Sequence, residues 1–266
     1  MTMSNLYIFK LLTEKRVLLL RSIFYELKFQ YAGSFLGFFW ILIGPLALIS
    51  IYTFIYLCVL KVKPGNISSE SYVLYLVSGL LPYIGFIQSI QKSASSIIQN
   101  KSVIFNTLYP IEFVPIRSIM ASFIPIIVGM FLLIFYKILT GQLFLSIIVI
   151  FLCMANLIIF TMGIALMTSL IMIVFRDLEN ILQYFFMILL FITPIGFFIQ
   201  NLPNKFKLIV YLNPLYYFIS PLQQIVAFNA PPSLGSILCT FFMSLFTFYL
   251  GSKFFKSFKM TIFELL

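Results

Sequence analysis

Three charges stand within four positions at Arg176, Asp177 and Glu179, between two of the most apolar stretches of the chain, 161–173 and 181–198. Such a triplet can do one of two things. Inside a membrane, ionisable groups are costly and serve ion or proton paths. At the membrane surface they close one helix and start the next. Other chemistry is scarce. The chain has no histidine, which removes the commonest base, metal ligand and pH switch. Its seven carboxylates are Glu14, Glu26, Glu70, Glu112, Asp177, Glu179 and Glu264, and none falls in the middle of an apolar run. An ion-coupled carrier therefore lacks its usual intramembrane charge. No G-x-x-x-x-G-K-[ST] phosphate loop occurs, because Gly251-Ser252-Lys253 has no glycine upstream at the required spacing. Cys58, Cys153 and Cys239 are far apart in apolar runs and read as buried free thiols. No catalytic group, metal site or cofactor is expected on this chain.

The elements that must position these charges are set by hydropathy. Of 266 residues, 62% are hydrophobic and 9% charged, and the mean hydropathy is +1.11. A soluble domain carries about 25% charged residues, so the solvent for most of this chain is lipid. A spanning helix needs about 20 apolar residues. Runs at 38–60, 72–90, 114–136, 143–174, 181–199 and 234–254 predict six spans. They lack the alternation of a barrel strand, so the expected class is an all-α integral membrane protein. The first run starts behind five basic residues, unlike a cleaved signal peptide, and the N-terminus is expected to be retained.

Six spans put both termini on one side, with the loops after the second and fourth spans. That side holds twelve of the seventeen lysines and arginines, so positive-inside bias places the termini in the cytoplasm. The net charge of +10 then suits anionic lipid headgroups and acidic partners rather than nucleic acid, since the basic residues are scattered along the edges of spans. The opening triplet follows from this count. Arg176 is cytoplasmic, Asp177 and Glu179 fall in the first turn of the fifth span, and Asp177 is placed to cap it. The expectation is a surface turn between helices.

Residues 5–30 differ from the rest. Leu12, Leu19, Ile23 and Leu27 form one stripe, while Lys10, Glu14, Arg21 and Lys28 occupy another face. This predicts an amphipathic helix in the cytoplasmic interface, or one packed on a partner. Next, Gly33 and Gly37 have the spacing that lets membrane helices approach closely, and Trp40 suits the headgroup level. Between the second and third spans, 91–118 is long and polar. A short helix outside the lipid over about 93–103 and a kinked approach at Pro110 and Pro115 are expected. Ile97, Ile98, Val103, Ile104 and Phe105 are too apolar for a loop that meets only water, and suggest docking. Finally, 201–232 holds apolar pieces too short to cross, interrupted by Asn213-Pro214, which fits re-entrant or interfacial helices.

These residues carry a resemblance. The basic N-terminal helix followed by Tyr31 to Trp40 and Pro45 resembles the membrane subunits of type-2 ABC polysaccharide exporters. Phe175-Arg176-Asp177, Leu182-Gln183 and Thr193-Pro194-Ile195 look like that family's junction between spans 4 and 5 and its kinked fifth span. Asn213-Pro214-Leu215 matches the motif before its last span. The resemblance implies a homodimer bound to two copies of a separate ATPase, which binds ATP and magnesium, and a polysaccharide cargo. It implies a coupling segment at 93–109, centred on Ser96, Ile97, Ile98, Gln99, Asn100 and Lys101. It also implies an outer gate at 203–229 with Asn213, Pro214, Gln223 and Gln224; many relatives have an arginine where this chain has the two glutamines. The first and fifth spans line the channel, where Trp40, Tyr52, Phe54, Tyr56, Phe185, Phe186 and Phe191 could offer aromatic faces to sugar C–H groups. Two other readings stay open: a type-2 exporter of a drug or lipid, and a membrane scaffold or enzyme without transport.

Overall fold

The computed structural model describes residues 7–59, 67–140 and 147–265. All regular structure among them is helical. The N-terminal stretch forms two helices rather than one, α1 (Tyr7–Glu14) and α2 (Arg16–Gln30), broken at Lys15 with φ −107° and ψ 28°. The break lets each half bury its apolar side in a different place. Ile8 of α1 packs with Ile97, Leu166 and Phe255, and Ile23 and Leu27 of α2 pack against Ala121. Residues 5 and 6 lie outside the described residues.

Gly33 and Gly37 do not pack helices together within the chain. Both have positive φ, 76° and 49°, and a Cβ on either would meet nothing within 4 Å. They supply left-handed backbone for the turn between α2 and the first long helix, which glycine adopts without a steric penalty. That long helix begins with a 3₁₀ turn at Gly37–Phe39, runs as α3 (Trp40–Thr53) and continues as a π-helix over Phe54–Val59. Leu60, at the end of the expected first span, lies outside the described residues, as do Lys61 and Lys63.

The central helix is α4 (Ser69–Gln99), capped by Ser68, whose hydroxyl accepts from Ser71 N at 3.1 Å. Its 31 residues run to about 46 Å at the helical rise, more than the roughly 30 Å of hydrocarbon. This corrects the expected helix at 93–103. Nothing breaks the chain after the span, because Ser93, Ala94, Ser96 and Ile97 continue its buried face. The turn comes at Asn100, whose Nδ2 donates to Ser96 O at 2.8 Å, and only Lys101–Asn106 follow as the short α5.

Then come α6 (Phe113–Leu139), α7 (Ile147–Val174), α8 (Leu178–Ile192), α9 (Asn204–Leu212), α10 (Pro214–Phe228) and α11 (Leu234–Leu265), with a 3₁₀ turn at Ile199–Asn201. Residues 143–146 of the expected fourth span lie outside the described residues. The run expected to span at 181–199 stays helical only to Ile192. Pro194 disfavours helical backbone at Thr193, which is extended at ψ 130°.

Among the described residues, five helices are long and apolar enough to cross a membrane, and α8, with 15 residues, is shorter. They are not equivalent. The spanning window of α4 is 83% buried within the chain and that of Gly37–Tyr56 only 6%. Thus α4 is the axis against which α6, α7 and α10 pack, while α3 hangs at the edge. The close approach in the bundle is between α7 and α11. A Cβ on Gly163 would strike the backbone of Thr247 and Phe248, and one on Gly251 the backbone of Gly163. Lipid offers helices no hydrophobic reason to associate, so such backbone contact supplies dispersion instead.

Candidate functional site

Polar side chains gather at both ends of the bundle. One end carries α1, α2, α5 and the start of α6, and most of the basic residues; it is called the basic end here. Arg117 of α6 organises it. Its Nε faces Glu26 Oε2 of α2 at 3.2 Å, its Nη2 donates to Asn100 Oδ1, and its guanidinium lies 5.5 Å from the Tyr109 ring centroid. Ser118 donates to the other oxygen of Glu26 at 3.3 Å. One cation thus ties α2, the α4–α5 corner and α6 together. Burial pushes the Tyr109 hydroxyl above the ordinary phenol range, against the opposing pull of Ser22 and of Arg117. A second pair links the start of α6 to the end of α11: Lys259 Nζ donates to Glu112 Oε1 at 2.7 Å, and the Glu112 side chain is 1% exposed. A carboxylate so placed needs its partner, since an isolated buried charge costs several kcal/mol, on the order of 3–5.

Of the six residues at the centre of the expected coupling segment, Ser96 and Ile97 are turned inward and buried. Ile98 and Asn100 are half-buried, and only Gln99 and Lys101 are exposed. The apolar surface of this corner lies further along, at Phe105 and at Leu108, which is fully exposed. Leu108 falls within the expected segment 93–109 but was not singled out there: it follows the last turn of α5, where no helical period predicts its direction. Glu26 with Arg117 and Glu112 with Lys259 were missed too, since pairs 91 and 147 residues apart leave no pattern in the sequence.

Arg176, Asp177 and Glu179 are all exposed, in the turn between α7 and α8. Asp177 holds the cap position but makes no capping hydrogen bond with its side chain. Its own backbone is helical, at φ −66° and ψ −9°, whereas a capping side chain needs extended backbone beneath it.

The opposite end is built around the break at 193–198. Broken backbone in a membrane must have its polar groups satisfied by the protein, and here side chains do it. Tyr72 OH donates to Gly196 O at 2.8 Å, and Tyr75 OH to Pro194 O and Phe197 O at 3.0 and 3.1 Å. Gln223 is buried, its Nε2 donating to Pro194 O and Tyr75 O at 3.0 and 3.3 Å. Asn213 caps α10 through Leu215 N at 3.0 Å, with Pro214 as first helical residue, and its Nδ2 donates to Thr193 Oγ1 at 2.8 Å. Gln224 points the other way, bonded to Ser220 Oγ at 3.2 Å beside a cleft of about 430 Å³ that Tyr211, Tyr216 and Tyr217 line.

The aromatic residues divide. Tyr52 and Tyr56 stack at 6.3 Å, Tyr56 meets Tyr72 edge-on at 5.5 Å and Tyr72 meets Phe198 at 6.0 Å, a continuous row from α3 to the break. Trp40, Phe54, Phe185 and Phe191 are exposed, whereas Phe186 is in the core, 5.9 Å from Phe86. Among the described residues no three of Asp, Glu, Cys and His stand close enough to hold a metal.

Among the described residues, an all-helical arrangement with five helices long and apolar enough to cross a bilayer defines a multi-pass membrane protein. No protein-family profile matches it. Two O-antigen export system permease proteins, both RfbA from Klebsiella pneumoniae, are similar to it: one is 31% identical over 197 residues, the other 30% over 208, each alignment covering 71% of this chain and 72% of the relative. RfbA of Myxococcus xanthus is 23% identical over 92% of the chain and 94% of its own length. The chain belongs to the O-antigen export system permease family.

Proposed function

We propose that this chain is the channel-forming permease subunit of an ATP-driven exporter that moves a polysaccharide, lipid-linked at one end, across the bacterial cytoplasmic membrane. The observation that carries the reading is the likeness, through most of the chain, to permeases named for O-antigen export. In this reading α8 with the broken stretch after it is a sixth span, α9 and α10 are re-entrant, and both termini are cytoplasmic. Two copies form the channel and bind two copies of an ATPase, which holds ATP and magnesium. Lys101, Phe105 and Leu108 dock on that ATPase, and the Arg117 cluster passes the movement of the α4–α5 corner to α2 and α6 as a rigid body. Arg176, Asp177 and Glu179 form the turn that starts α8 on the same side. Trp40, Tyr52, Phe54, Tyr56, Phe185 and Phe191 offer aromatic faces to the glycan, with Phe186 packed behind them. Asn213, Pro214, Gln223 and Gln224 hold the outer gate, in which uncharged amides replace an arginine.

The test is a pull-down from native membranes that asks whether an ABC-class ATPase co-purifies, in wild type and in Leu108→Asp. Leu108 is fully exposed, so the variant should fold, lose the ATPase and lose surface glycan. Recovery of wild-type chain free of any ATPase, or an undiminished complex in the variant, defeats the reading.

A further inference from the structure

At the basic end a cleft of about 580 Å³ opens between α2, the last turns of α4 and the start of α6. Its depth in a bilayer can be worked out. At the far end of the bundle Tyr136 OH donates to Glu70 at 2.7 Å, which sets α4 and α6 level there. From that level, α4 reaches Lys92 after about 33 Å and α6 reaches Arg117 after about 29 Å. Hydrocarbon is about 30 Å thick. A hydrocarbon core that began at that level would end within a few Å of both cations, at the depth of lipid phosphates.

The charges in the cleft are uneven. Glu26 is taken by Arg117 and Ser118. Arg117 has five N–H donors, and Glu26 and Asn100 engage two of its nitrogens. Lys92 is exposed at the cleft, with no hydrogen bond or ion pair among the described residues. Lys92, Arg117 and Glu26 leave one positive charge over. The mouth is aromatic: Tyr25 and Phe29 of α2 are 67% and 86% exposed, suited to the boundary between headgroup and acyl chain.

We infer that this cleft binds the phosphate of an anionic phospholipid in the leaflet at the basic end. Lys92 and the remaining N–H groups of Arg117 hold the phosphate, and Tyr25 and Phe29 flank the glycerol and upper acyl chains. One surplus charge matches a phosphodiester monoanion better than the higher charge of a diphosphate. Basic pockets between helices at a membrane surface recognise headgroups in this way. The lipid would brace α2 against α4 and α6 whatever cargo the protein carries.

The test uses the full chain in detergent, titrated with phosphatidylglycerol or phosphatidylcholine and read by native mass spectrometry. The expected result is preferential binding of phosphatidylglycerol, weakened about five-fold by Lys92→Gln. Lys28→Gln, on the same interface helix but outside the cleft, should leave it unchanged. Four results would overturn the assignment: equal binding of both lipids, an unaltered Lys92→Gln, an equal loss in Lys28→Gln (a diffuse surface field), or displacement of the lipid by inorganic phosphate alone (a free-anion site). Lys92 is exposed, so the variant should match wild type in thermal unfolding.

Discussion

Gln223→Leu tests the account of the broken helix most directly. Leucine keeps nearly the same bulk in a site that is 2% exposed, but removes the donor that Pro194 O and Tyr75 O share at 3.0 and 3.3 Å. Pro194 O keeps Tyr75 OH, while Tyr75 O, at the level of the helix break, loses a partner. A hydrogen bond lost inside a protein costs about 0.5–1.5 kcal/mol net, and inside membrane bundles the average is nearer 0.6. Two together should cost about 1–2 kcal/mol. At about 2–4 °C per kcal/mol, Tm in detergent should fall by roughly 2–8 °C. Gln223→Glu should destabilise as well, because the carboxyl either faces two carbonyl oxygens as an anion or must bind a proton to regain a single donor. The assay is thermal unfolding by circular dichroism, with surface glycan measured in parallel. If Gln223→Glu unfolded at the wild-type temperature, the claim that this side chain holds the break closed would be wrong.

Two further predictions concern the ends and the seam of the bundle. Gly163→Ala should force α7 and α11 apart and cost about 1–3 kcal/mol, whereas Gly235→Ala, with nothing within 4 Å of the added methyl, should change Tm little; equal effects would remove the seam. Lys259→Met should destabilise more than Glu112→Gln, because only the first leaves a buried carboxylate charged without its nearest cation; the reverse order in thermal unfolding would show that Glu112 is not held as an ion.

The amino-acid sequence by itself determined that this is a helical membrane protein, where its long apolar runs lie and which turn carries Arg176, Asp177 and Glu179. Apolar length is a one-dimensional property, and lipid leaves the backbone few alternatives. Pro194 and Asn213-Pro214 were legible as breaks for the same local reason. What the sequence pattern misjudged were matters of neighbours. Gly33 and Gly37 have the spacing of a packing motif, yet they serve a turn, while Gly163 and Gly251, 88 residues apart, make the backbone contact. Ser96 and Ile97, expected in the docking segment, are inside, because the buried face of α4 continues through them. The cation of Arg117 acquired its partners, and Lys92 its lack of them, only when α2, α4 and α6 met. Charge pairing and close approach depend on distance in space, which residue order does not carry across a hundred positions; that much only the tertiary structure could decide.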